Sequence, residues 1–128
     1  MPNGALKKIL YVEDDTDLWT IAQISLVDLG GFEVKFCLTG QEALRVALEF
    51  RPDLILLDYM MPGMNGSDTL KELRKIPALA QTPVVFLTAK IQPDEVAQYR
   101  AEGAAEVIPK PFDPMRLADT VRSIWNAT

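Results

Sequence analysis

Three stretches of four consecutive apolar residues, Ile9–Val12, Leu54–Leu57 and Val84–Leu87, carry no alternating polar residue. A strand that reads this way is covered on both faces, as in a parallel sheet sandwiched between helices. Two further runs, Phe32–Cys37 and Glu106–Ile108, bring the set to five, and the segments between them have helical period and marked ends. Leu18, Ala22, Ser25, Leu26 and Leu29 share one face of the first helical segment, and Gly30 stands where a left-handed terminating residue belongs. Thr39 with Glu42 forms a capping-box pattern ahead of Ala43, Leu44, Ala47 and Leu48. Ser67 is placed to cap a helix through Lys75, Pro93 and Pro114 suit first-turn positions, Asp113 is a start signal, and Gly103 ends the fourth helix. A strand-helix order repeated five times, joined by right-handed crossovers, predicts an α/β fold. The expected architecture is an open, doubly wound, five-stranded parallel sheet with helices on both faces.

The size fits that expectation, since 128 residues suit one domain with a real core. A net charge of −5 argues against a nucleic-acid-binding domain, which would need clustered Lys and Arg. The lone Cys37 has no internal disulfide partner and reads as an inert small side chain in a reducing compartment. Lys7-Lys8 is followed by only four apolar residues, too few for a secretory signal or a spanning helix. The expectation is a cytoplasmic protein with no membrane and no direct nucleic-acid partner.

In such a sheet, functional groups gather at the carboxyl ends of the strands. The first of these ends carries Glu13-Asp14-Asp15, which excludes a Rossmann reading because no Gly-rich phosphate loop is present. Asp58 follows the third strand, Thr88 ends the fourth and Lys110 follows the fifth. Two carboxylates about 5 Å apart repel by roughly 3 kcal/mol at an effective dielectric of 20, so the cluster calls for a cation or a raised pKa. Oxygen ligands without histidine favour a hard ion, Mg2+ or Mn2+, with Asp14 and Asp58 able to supply carboxylates and Glu13 acting through water. Aspartate can attack phosphorus to form an acyl phosphate, while an ion and Lys110 neutralise the transferring group. The chain has no histidine, so an internal phosphohistidine donor is impossible.

The residues Val12-Glu13-Asp14-Asp15, Asp58 through Gly66, Thr88-Ala89 and Lys110-Pro111-Phe112 resemble the receiver domain of two-component response regulators. The spacings, 44 residues from Asp14 to Asp58, 30 on to Thr88 and 22 on to Lys110, fit that family, and the resemblance covers residues 6–126 as one receiver domain. It implies a flavodoxin-like sheet in the order 2-1-3-4-5. It also implies that Asp58 accepts a phosphoryl group from a histidine kinase or histidine phosphotransfer protein. Asp14, Asp58 and the Met60 carbonyl would hold Mg2+, with Glu13 the other half of the acidic pair. Thr88, Ala89 and Lys110 would meet the phosphoryl group, and the Lys110–Pro111 peptide would be cis. The recipient of the signal would be a downstream output protein, with a phosphorylation-dependent dimer as one form of output. No output domain is expected within the 128 residues, and no enzymatic activity beyond limited self-phosphorylation and autodephosphorylation. Val107 departs from the pattern, because the family often carries an aromatic residue there.

Two other classes remain open at this point: a phosphatase with an aspartate nucleophile, and a degenerate receiver serving as a binding scaffold. The phosphatase usually has a second aspartate two residues after the nucleophile, where Met60 stands. A flavin module of the same topology is remote, given Glu13-Asp14-Asp15 in its phosphate turn. Met60, Met61 and Met64 read as core or loop packing. Asp15 serves to start the first helix, and Ile24 with Val27 forms an outward apolar pair suited to docking a kinase's helical bundle.

Overall fold

The computed structural model describes residues 4–128. Five strands form one parallel sheet: β1 Lys8–Val12, β2 Glu33–Cys37, β3 Leu54–Asp58, β4 Val84–Thr88 and β5 Glu106–Pro109. The helices between and after them are α1 Thr16–Ala22, α2 Gly40–Phe50, α3 Gly66–Arg74, α4 Pro93–Ala101 and α5 Leu117–Ala127. A π-helical segment, Gln23–Leu29, continues α1, and one short 3-10 turn, Pro77–Leu79, precedes β4. The order across the sheet is β2-β1-β3-β4-β5, the doubly wound, flavodoxin-like topology. No helix among the described residues is long and apolar enough to cross a membrane.

β3 and β4 are buried at all five positions, as the unalternated apolar runs require. Successive side chains along a strand point to opposite faces. Leu10, Val12, Ile55, Leu57, Val84 and Phe86 therefore pack with Ala43, Ala47, Leu70, Leu73 and Tyr99 on one side. Ile9, Tyr11, Leu54, Leu56, Val85 and Leu87 pack with Ala22, Leu26, Leu117, Val121 and Trp125 on the other. The central strands are in tight register, with Val12 beside Leu57, Asp58 beside Leu87 and Thr88 beside Pro109. That register brings the carboxyl ends of β1, β3 and β4 level, so chain-distant polar groups leave the sheet at one rim.

Several helix ends differ from the sequence expectation. Residues 23–29 wind with i→i+5 bonds, so a stripe projected at 100° per residue loses phase. Ser25 and Leu26 stay buried, but Leu29 turns out to solvent at 57 % exposure. The left-handed residue after that segment is Gly31, at φ 75°, not Gly30. Gly30 is a close-approach site instead, where a Cβ would meet the Leu26 carbonyl at 2.6 Å. α3 is capped by Asn65, two residues before Ser67, because Asn65 Oδ1 accepts from the Asp68 N–H at 2.9 Å while Asp68 reaches back to the Asn65 N–H. Lys75 lies just past the end of that helix. Asp113 starts a turn before α5: its carboxylate accepts from the Met115 N–H, and its carbonyl accepts from the N–H groups of Arg116 and Leu117. Thr39 caps α2 as its spacing suggests, although Glu42 reaches back to the Leu38 N–H at 2.6 Å. Met61 is buried, whereas the Met60 side chain is exposed, so Met60 plugs no core.

Candidate functional site

Strand parity decides which way each rim residue faces. Glu13 follows Ile9 and Tyr11, and Asp58 follows Leu54 and Leu56, so both carboxylates emerge on the α1/α5 side of the sheet. Lys110 shares that side with Ile108. Glu13 is 1 % exposed and Asp58 2 %, while Asp14 is exposed at the mouth of the pocket. One carboxylate oxygen from each of Glu13, Asp14 and Asp58 lies within 4.8 Å of the others. Lys110 Nζ donates to Glu13 Oε1 at 3.1 Å and to Asp58 Oδ1 at 3.2 Å. The Lys110–Pro111 peptide is cis.

Two buried carboxylates thus share one ammonium, with a third, Asp14, at the solvent-facing mouth. Burial, with the Asp58 carboxylate beside it, pushes the Glu13 carboxyl up to about 8, against the downward pull of Lys110. For Lys110, burial alone would lower the pKa, but hydrogen bonds and charge from Glu13 and Asp58 outweigh it and hold the ammonium above its usual range. The pocket is short of positive charge. A hard divalent ion fits that deficit and the all-oxygen donor set.

The surroundings hold these groups in place. Glu13 Oε2 accepts from the Asp15 N–H at 3.3 Å, and the Glu13 carbonyl accepts from the Trp19 indole at 2.8 Å. Asp15 is the N-cap of α1, taking the Asp17 N–H at 3.0 Å, and it stands outside the carboxylate trio. Behind Asp58, the chain passes so close to α3 that a Cβ on Gly66 would meet the Asp58 carbonyl and Tyr59 Cα, both at 2.8 Å. The Gly66 N–H donates to the Tyr59 carbonyl at 2.9 Å across that contact.

Thr88 faces the other way. It shares parity with Val84 and Phe86, so its side chain leaves the sheet on the α4 side. Its buried hydroxyl accepts from the Lys90 N–H at 3.1 Å and meets the Tyr99 hydroxyl at 3.4 Å. The structure therefore brings together Glu13, Asp14, Asp58 and Lys110, and holds Thr88 against α4. Ala89 follows it, exposed at the rim. Val107 on β5 is half-buried and lies beside Phe86 of β4.

Sequence reasoning missed Tyr59 and Tyr99. The Tyr59 ring packs on Tyr99 at 4.7 Å and on Phe86 at 4.9 Å, and its hydroxyl donates to Glu102 at 3.2 Å. Tyr99 is the one buried residue of α4, so that helix shows no apolar stripe to announce it.

The family model described as "Response regulator receiver domain" matches residues 9–122. The chain is 41 % identical over 119 residues to the transcriptional regulatory protein CpxR of Klebsiella pneumoniae, covering 93 % of this chain and 49 % of CpxR. It is 39 % identical over 117 residues to the probable transcriptional regulator ycf29 of Porphyra purpurea, covering 91 % of this chain and 55 % of that one. The chain thus spans about half the length of the curated relatives it matches. Among solved structures, chemotaxis response regulator CheY4 of Vibrio cholerae superposes with a TM-score of 0.86 at 32 % identity, covering 94 % of this chain and 99 % of that one. A putative response regulator from Chloroflexus aurantiacus gives 0.84 at 28 % identity, covering 94 % and 98 %.

Proposed function

The chain belongs to the response regulator receiver domain family, and from that premise we propose that Asp58 is the acceptor of a phosphoryl group supplied by a histidine kinase or histidine phosphotransfer protein. The carrying observation is a buried aspartate, 2 % exposed, in contact with Lys110 and grouped with two more carboxylates. An oxygen of Asp58 attacks phosphorus, the bond from phosphorus to the donor's imidazole nitrogen breaks, and the imidazole leaves with the electron pair and takes a proton. The donor is external because the chain contains no histidine.

Asp14, Asp58, Glu13 and the Met60 backbone carbonyl are the groups that would hold Mg2+, with Mn2+ as a substitute. Bound there, the ion would offset the negative charge of the transferring phosphoryl oxygens. Lys110 donates to Asp58 Oδ1 and stands ready to pair with the phosphoryl group once the acyl phosphate forms. Burial keeps bulk water from the reacting oxygen. Thr88 would supply one hydroxyl proton to the new phosphoryl group, beside Ala89. The same groups would support slow self-phosphorylation from small phosphodonors and autodephosphorylation.

The switch acts in the cytoplasm and delivers its signal to a downstream output protein, for which phosphorylation-dependent dimerisation is one route. The grouping of Glu13, Asp14, Asp58 and Lys110 speaks against a degenerate scaffold, and the exposed Met60 side chain offers no general acid for a phosphatase. Incubation with Mg2+ and acetyl phosphate, read by intact mass, tests the proposal. One added phosphoryl group, absent in Asp58→Asn, is the expected result. No gain, or a gain that survives Asp58→Asn, would refute it.

A further inference from the structure

Counting protons around Thr88 assigns a role to Tyr99. The Tyr99 hydroxyl has one proton, and its shorter contact is to the Lys90 carbonyl at 3.0 Å, so that proton is donated there. Thr88 must then donate its own proton to the Tyr99 oxygen across 3.4 Å, while its oxygen accepts from the Lys90 N–H. The three residues close a ring of hydrogen bonds in which the only long member is the one from Thr88 to Tyr99. A threonine in that ring has no proton left for anything on Asp58.

We infer that Tyr99 is the residue that couples the Asp58 site to α4, holding the Thr88 proton in the unphosphorylated chain and losing it when a phosphoryl group forms. The inference rests on Asp58 being the phosphoacceptor. A phosphoryl oxygen is a charged acceptor, and charge-assisted hydrogen bonds are about twice as strong as neutral ones. Thr88 therefore gives up its long bond to a neutral phenol in favour of the phosphoryl group. The Tyr99 oxygen then loses its donor while 4 % exposed, a state that burial penalises. The ring has little room to adjust within the sheet, because Tyr59 and Phe86 box it at 4.7 and 5.7 Å. The adjustment is passed to α4, whose one buried side chain is Tyr99. It reaches the surface directly, since Tyr99 walls an open cavity of about 530 Å³ with Tyr59, Met60, Lys90, Glu95 and Gln98. Val107 places no ring on β5 here, so the aromatic partner of Thr88 comes from the helix.

The test compares the parent chain with Tyr99→Phe, which removes one oxygen and keeps the ring. Each is treated with Mg2+ and acetyl phosphate and followed by intact mass and by amide shifts of residues 94–101. Expected results are mass gain in both, a full α4 response in the parent, and less than a third of that response in Tyr99→Phe. Mass gain in Tyr99→Phe with an α4 response of parental size overturns this inference and leaves the phosphoacceptor reading standing. Absence of mass gain in the parent overturns both. Should Tyr99→Phe not fold, the parent labelled at the Tyr99 ring decides the matter: the Tyr99 Cζ resonance moves on phosphorylation, and an unmoved resonance refutes the inference.

Discussion

Glu13 is a buried carboxyl whose charge depends on what else occupies its pocket. Its pKa is raised from 4.5 to about 8 by burial and by Asp58. Between those values the unfolded chain has released a proton that the folded chain still holds, so the contribution of Glu13 to stability falls as pH rises through that window and levels off above it. A bound divalent cation favours the ionised form and reverses the trend. The rise in Tm produced by Mg2+ is therefore expected to be larger at pH 8 than at pH 5.5, and Glu13→Gln should flatten the metal-free slope; thermal melts across that range check both. Cys37 is fully buried, and burial pushes its thiol up to about 11, so a thiol reagent should leave the folded chain unmodified and label it completely in denaturant. At this scale the acidic residues and Lys110 were legible because a rule about strand ends locates them without knowledge of packing. Tyr99 and Tyr59 were not. Their importance lies in neighbours 11 and 43 residues away, Thr88 and Glu102, and no local pattern records such contacts.

Helices and loops show where periodicity misleads. One π-helical segment was enough to send Leu29 outward, because a sequence stripe presumes a constant number of residues per turn. The cap of α3 was misplaced for a different reason. Asn65 and Ser67 are both good N-cap types, and the choice between them was made by Gly66, which must lie against the Asp58–Tyr59 backbone. Gly66→Ala forces a Cβ into that backbone and is expected to slow phosphoryl gain at Asp58 at least tenfold, besides lowering Tm, as timed intact-mass spectra would reveal. Asn65→Ala, which leaves the close contact intact, should cost about 1 kcal/mol in a urea titration. Arg74 is the staple of the loop before β4, donating to the carbonyls of Leu79 at 3.0 Å and Thr82 at 2.7 Å. Arg74→Ala strands those acceptors and is expected to destabilise the fold by about 1–3 kcal/mol, with faster hydrogen exchange confined to residues 78–82.

Across the whole molecule, the order of strands came from resemblance and the existence of the sheet from the residues themselves. Runs without polar alternation identify strands covered on both faces, yet they do not say which strand lies beside which. The cost of disturbing this centre is shared by every element: Leu56→Ala on β3 should lower stability by about 2–5 kcal/mol while leaving the rim geometry unchanged, a split that urea titration and Mg2+ titration would separate. Because all five strands run the same way, Glu13, Asp14, Asp58 and Lys110 gather at one rim, a sheet's length from the opposite one. That far rim, where Gln81 is exposed in the turn before β4, is a natural attachment point for a dye or a surface tether. With the native thiol shielded inside β2, a cysteine introduced at position 81 would be the only one to take the label, so individual molecules could be watched or immobilised without touching the end that carries the carboxylate cluster.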